Sequence, residues 1–170
     1  MSIAVESHAE ERQPALPLPV RPPAAPAATA LLADARRGLA EARHAAQPAP
    51  RFIAAYLAAL RAGAAVLAAS GRPHRGRARP ASVWVLLEAA APELTDWTAY
   101  FAAHSAARAA AQAGNTRRIT PERADELLRQ SVLFVELARD LVHGRTPVTA
   151  PSRVRQCDAP PPLRKASRRR

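Results

Sequence analysis

Forty-three alanines against seven aromatic side chains leave this 170-residue chain little with which to build an interior except helices that approach one another through small side chains. Alanine is the strongest helix former and loses no side-chain entropy on folding, so the composition argues helix over sheet. The nominal hydrophobic content of 48% misleads, because much of it is methyl groups. There is room for one modest core and not for two.

Proline bounds that core. Pro14, Pro17, Pro19, Pro22, Pro23 and Pro26 fall within thirteen residues, a density that no helix or central strand tolerates. Past Gly144 the sequence RTPVTAPSRVRQCDAPPPLRKASRRR again mixes prolines with a cationic run. The expectation is a helical domain over 29–144 between disordered arms at 1–28 and 145–170, the first with polyproline character.

Charge follows the same division. Residues 1–28 carry −1, 29–144 carry +5 and 145–170 carry +7. Within the middle segment GRPHRGRARPA, residues 71–81, holds four arginines and no acid, so the helices come to only +1. Lys165 is the one lysine among 25 cationic residues, a codon bias expected of a GC-rich genome. Cys157 is the sole cysteine, which excludes an internal disulfide and points to a reducing cytoplasm. The acidic, proline-rich start does not read as a signal peptide. The longest apolar stretch, Phe52 to Ser70, is broken by Arg61 and is mostly alanine, so no membrane span is expected.

Spacing places the helices. The first is expected from Ala30 to Ala46 with Thr29 as N-cap, Leu32, Ala35, Leu39 and Ala42 inward, and Arg37 paired with Glu41 outside. The second, Arg51 to Ala69, carries Ile53, Leu57, Leu60, Ala64 and Leu67 on one seam and Phe52, Tyr56, Gly63 and Val66 on an adjacent stripe. With a single internal charge it should be central. A short helix capped by Ser82 is stopped at Pro92, and a longer one runs from Thr95 to Ala113, closed by Gly114. The last opens with Thr120 as N-cap and Pro121 at its first position, with Leu127, Ser131, Phe134, Ala138 and Leu141 on one seam and Asp125 four residues before Arg129. The fold class is all-α, a four- to five-helix up-and-down bundle. Trp84, Trp97, Tyr100 and Phe101 serve either the core or a dimer surface.

The segments LLADARRGLAEA, RFIAAYLAALRAGAAVLAA, SVWVLLEAAAPELTDWTAYFAA and TPERADELLRQSVLFVELARDLV, with an arginine-rich loop after the second, resemble the actinobacterial, SAV-type branch of the HEPN domain family over Leu31 to His143. The resemblance implies a helical bundle that often dimerises and, in several branches, cleaves RNA. The chemistry implied uses a histidine to move a proton and an arginine, four to six residues earlier by intervening positions, to stabilise phosphate charge. Arg139 and His143 stand at the matching place with only three residues between them. Arg37 and His44 meet the spacing, but in the first helix, where the motif is not expected. The reading therefore leans away from an enzyme, with a ribonuclease of atypical spacing at Arg139 and His143 as an alternative.

No other chemistry stands out. His104 shares an aromatic helix face with Trp97 and Phe101 and reads as a core or interface histidine, and no histidines and carboxylates sit at metal-ligand spacing. No metal and no cofactor are expected, and no phosphate-cradling glycine loop is present. The remaining candidates are cationic: Arg72, Arg75, Arg77 and Arg79 in the loop, and Arg164, Lys165, Arg168, Arg169 and Arg170 in the tail. Clustered guanidinium groups bind RNA or another polyanion by releasing its counterions, weakly and without sequence preference. Two functions follow: a non-catalytic module that binds nucleic acid or nucleotide as a regulator or antitoxin- or stress-type accessory, or a homodimeric interaction bundle in which the charge is incidental.

Overall fold

The structure is a computed structural model that describes residues 24–71 and 82–145; of the expected disordered arms, residues 1–23 and 146–170 lie outside the described residues, as do residues 72–81 of the arginine loop, while residues 26–28 open the first helix. Five α-helices are present: α1 (Pro26–His44), α2 (Pro48–Ala69), α3 (Val83–Ala90), α4 (Thr95–Gln112) and α5 (Pro121–Val142), with a 3₁₀ turn at Pro92–Leu94 before α4. The described residues contain no strand, and the chain is an all-α bundle.

Two helix starts differ from expectation. α1 begins at Pro26 and α2 at Pro48, each with proline in its first turn. First-turn amides have no carbonyl to bond, so proline there sacrifices nothing and presets φ. Thr29 consequently sits inside α1, its hydroxyl turned back to the Ala25 carbonyl at 3.5 Å. The other caps stand as expected: Ser82 Oγ accepts the Val85 amide and Thr120 Oγ1 the Arg123 amide, both at 3.3 Å. α4 is closed just past its C-cap Ala113 by Gly114, whose φ of 87° is open to glycine, while the Asn115 amide reaches the Ala110 carbonyl at 2.9 Å.

α2 is central, packed along α1 on one side and α5 on the other, with α3 and α4 also against it. Its fully buried face is the stripe of Phe52, Tyr56, Gly63 and Val66 together with Ala55, Ala58, Ala59, Ala62 and Ala65. The bulkier seam of Ile53, Leu57, Leu60, Ala64 and Leu67 is only half-buried. Small side chains explain the inversion, because they let α1 close in. A Cβ placed on Gly38 of α1 would lie 3.3 Å from the Ala58 Cβ and 3.7 Å from the Ala54 carbonyl. By length and hydropathy (mean 1.8 over 18 residues) α2 could cross a membrane, and half of that window is buried inside the bundle, the pattern of a core helix.

All seven aromatic rings join one cluster. Trp84 stacks on Phe101 at 5.0 Å, Phe101 meets Phe134 at 5.2 Å, Trp97 meets Phe134 at 5.5 Å and Tyr56 meets Trp84 edge-on at 5.9 Å. Trp84, Trp97 and Phe101 are buried and Tyr100 is half-buried, so this set builds the core that ties α3 and α4 to α2 and α5.

α2 and α5 run in the same direction. They start side by side, where Arg51 of α2 ion-pairs with Asp125 of α5 and the Arg123 guanidinium lies 6.0 Å over the Phe52 ring. Gly71 and Arg145, the residues that follow their C-terminal turns, therefore share one end of the bundle.

Candidate functional site

Arg139 lies in the last turn of α5 and His143 at its C-cap. Arg139 ion-pairs with Glu136 one turn back, and its Nη2 lies 3.0 Å from Asp140, which Arg145 also approaches at 3.2 Å. The Arg139 guanidinium is thus paired with two carboxylates, one of them shared with Arg145. His143 is exposed at the C-cap, where its backbone amide donates to the Arg139 carbonyl at 3.0 Å. Arg37 is held by Asp34, not by Glu41, and His44 is the exposed last residue of α1. The nine cationic candidates, Arg72, Arg75, Arg77, Arg79, Arg164, Lys165, Arg168, Arg169 and Arg170, lie outside the described residues.

A different basic group emerges where α4 hands over to α5. Arg108 of α4 lies 5.3 Å over the Tyr56 ring and donates to Gln112 Oε1 at 2.7 Å. One turn away on α2, Phe52 carries Arg123, whose Nη1 donates to the Arg118 carbonyl at 3.2 Å. Arg117 and Arg118 are exposed in the intervening loop. Among the described residues, none of these four arginines makes an ion pair, because Asp125 is taken by Arg51 and Glu126 by Arg129. Glu122 is the acid of this corner without an ion pair of its own; the first-turn amide and the Thr120 hydroxyl hold its carboxyl below the usual range.

His104 lies one turn before Arg108 on α4 and close enough to Arg123 to feel its charge. Its Nδ1 is 2.7 Å from the Tyr100 carbonyl, a bond that only a protonated Nδ1 can make, which leaves Nε2 as the ring's acceptor. The ring lies 4.6 Å from Tyr100 and 6.0 Å from Phe52. Burial holds its pKa below the ordinary value, opposed by the Tyr100 bond, with Arg123 lowering it further and Glu126 raising it. Beside it, Tyr56 Oη accepts the buried Trp84 indole N–H at 2.7 Å and meets Ser105 Oγ at 2.6 Å.

Spacing alone does not single out this corner, since the acids of α5 stand beside these arginines in sequence and only the fold pairs Asp125 with Arg51 of another helix. Among the described residues no group of three or more histidines, cysteines and carboxylates could hold a metal.

The model of the SAV-type HEPN-like domain family matches residues 42–139, more than half of the chain. The chain belongs to that family. No curated protein and no solved structure matches it. The match to the HEPN-like family begins in the last turn of α1 and closes at Arg139, so His143 falls outside it.

Proposed function

We propose that this HEPN-like domain is a non-catalytic accessory that binds RNA or another polyanion weakly through Arg72, Arg75, Arg77 and Arg79 and through Arg164, Lys165, Arg168, Arg169 and Arg170, and so regulates a partner. One observation carries the reading: the arginine-rich segment follows Gly71 and the basic tail follows Arg145, and those two residues share one end of the bundle. Two cationic segments rooted together meet the same phosphate backbone at high effective concentration. The engagement of Arg139 by Glu136 and Asp140 supports the non-catalytic part.

A gel-shift series over salt tests it with single-stranded RNA and a full-length variant in which Arg164, Lys165, Arg168, Arg169 and Arg170 are all serine. Each lost phosphate contact lowers the slope of log affinity against log salt by about 0.7. A lower slope and weaker binding in the variant are expected. Binding that is unmeasurable at low salt, or unchanged in the variant, refutes the reading.

A second reading, a homodimeric interaction bundle, has its own support: Leu133 is 57% exposed beside a shallow apolar groove lined by Leu128, Val132, Arg43 and Arg129. Mass in solution with and without RNA separates the two.

A further inference from the structure

We propose that the α4–α5 corner, where Arg108 and Arg123 rest on Tyr56 and Phe52 beside His104 and the connecting loop carries Arg117 and Arg118, is a phosphate-binding site on the folded body. It deepens the polyanion reading, and it lies at the opposite end of the bundle from Gly71 and Arg145, the described residues after which the basic loop and tail begin. Arg123 lies over Phe52 in the first turns of α2, whereas Gly71 follows the last. A 22-residue helix separates those ends by about 30 Å.

The electrostatics favour an anion. Arg108 and Arg123 rest on rings one turn apart on α2, and the exposed Arg117 and Arg118 lie in the loop between their helices, while Asp125 pairs with Arg51 and Glu126 with Arg129; the Glu122 carboxylate offsets part of this positive charge. Positive charges left together without ion pairs raise the local potential and attract phosphate. Pre-organisation adds to it. Arg108 and Arg123 rest on Tyr56 and Phe52, at 5.3 and 6.0 Å, which holds their planes in place and spares part of the entropy that free arginines lose on binding. The Arg108 Nε–H is buried and has no hydrogen-bond partner among the described residues, an unspent donor next to the patch. His104, with Nδ1 committed to the Tyr100 carbonyl, offers Nε2 as the acceptor for a protonated phosphate oxygen or a hydroxyl.

The shared chemistry is the phosphate group, and its source is either a free phosphate compound or a nucleic-acid backbone. Side-chain NMR on the full chain tells them apart: the arginine Nε–Hε and His104 imidazole signals are followed while pyrophosphate, or in a second arm single-stranded RNA, is added at constant ionic strength. Shifts of Arg108, Arg123 and His104 in the pyrophosphate arm support the site and assign a small ligand; shifts only with RNA support it and assign the backbone. An exchange of Arg117 and Arg118 for alanine, at exposed positions that leave the core alone, should weaken the corner response severalfold. If neither arm moves Arg108 and Arg123, the proposal is overturned, and tail signals moving alone would then leave the loop-and-tail reading standing by itself. Corner shifts that survive serine substitution of the five tail cations would separate the two in the opposite direction.

Discussion

Replacing Tyr56 with phenylalanine removes one oxygen from the centre of the bundle and should cost about 2 kcal/mol of stability. The Tyr56 hydroxyl is the acceptor for the Trp84 indole N–H at 2.7 Å, and both residues are only 2% exposed, so no solvent can replace it. A buried donor stripped of its acceptor loses about 1–3 kcal/mol, more than the bond's net worth when both partners are removed. Ser105, the other partner of that hydroxyl, loses less, because its own hydroxyl still has the Phe101 carbonyl at 3.5 Å. For a folded body of this size about 2 kcal/mol lowers the melting temperature by about 8 °C. Urea unfolding followed by tryptophan fluorescence measures it directly, since Trp84 and Trp97 are both buried. The double variant Tyr56→Phe with Trp84→Phe completes a cycle in which the stranded donor is gone, so the two losses should fall short of additivity by about 1–2 kcal/mol. A Tyr56→Phe protein within about 0.5 kcal/mol of the parent, or strict additivity in the cycle, would refute the reasoning that this hydroxyl holds α3 and α4 onto α2.

Three further outcomes are expected. Gly38→Leu should destabilise by about 1–3 kcal/mol, because the side chain must enter a crossing where even a Cβ lies 3.1 Å from Arg61 Nη1 and 3.3 Å from the Ala58 Cβ; equal stability in chemical denaturation would contradict the close α1–α2 approach. His104 is held neutral in the fold, its pKa below the ordinary 6.5, so its contribution is fully present above that pH and declines as pH falls through the folded value. Unfolding free energies measured from about pH 8 to about pH 5 should show that decline in the parent and lose part of it in His104→Gln; identical pH profiles would exclude the histidine as a cause. Purified protein incubated with structured and single-stranded RNA should leave it intact, and cleavage that disappears in His143→Ala would reverse the non-catalytic reading.

Much of the bundle is legible in the primary structure. Periodic apolar residues located every helix, Ser82 and Thr120 marked two starts, and Pro92 and Gly114 marked two stops, since these are local events decided within a few residues. The prolines at Pro26 and Pro48 were harder to read, because proline is a breaker inside a helix and a good opener in its first turn, and only the neighbouring contacts distinguish the two. Charge pairing was less legible still: Asp125 looks toward Arg129 in sequence and pairs with Arg51 of another helix in space, while Arg37 selects Asp34 over Glu41.

The sequence by itself determined the helical class, a single small core and the separation of most positive charge from the helices, because alanine content, proline clusters and charge runs act through local propensity and composition. Only the tertiary structure decided which face of α2 is buried, that Trp84, Trp97 and Phe101 are core, that Asp125 pairs with Arg51 across helices, and that Arg108 and Arg123 come to rest on the rings of α2. Those outcomes depend on which helices come close enough to exchange side-chain contacts, and a small-residue core leaves that choice to the packing of α1, α4 and α5 around α2.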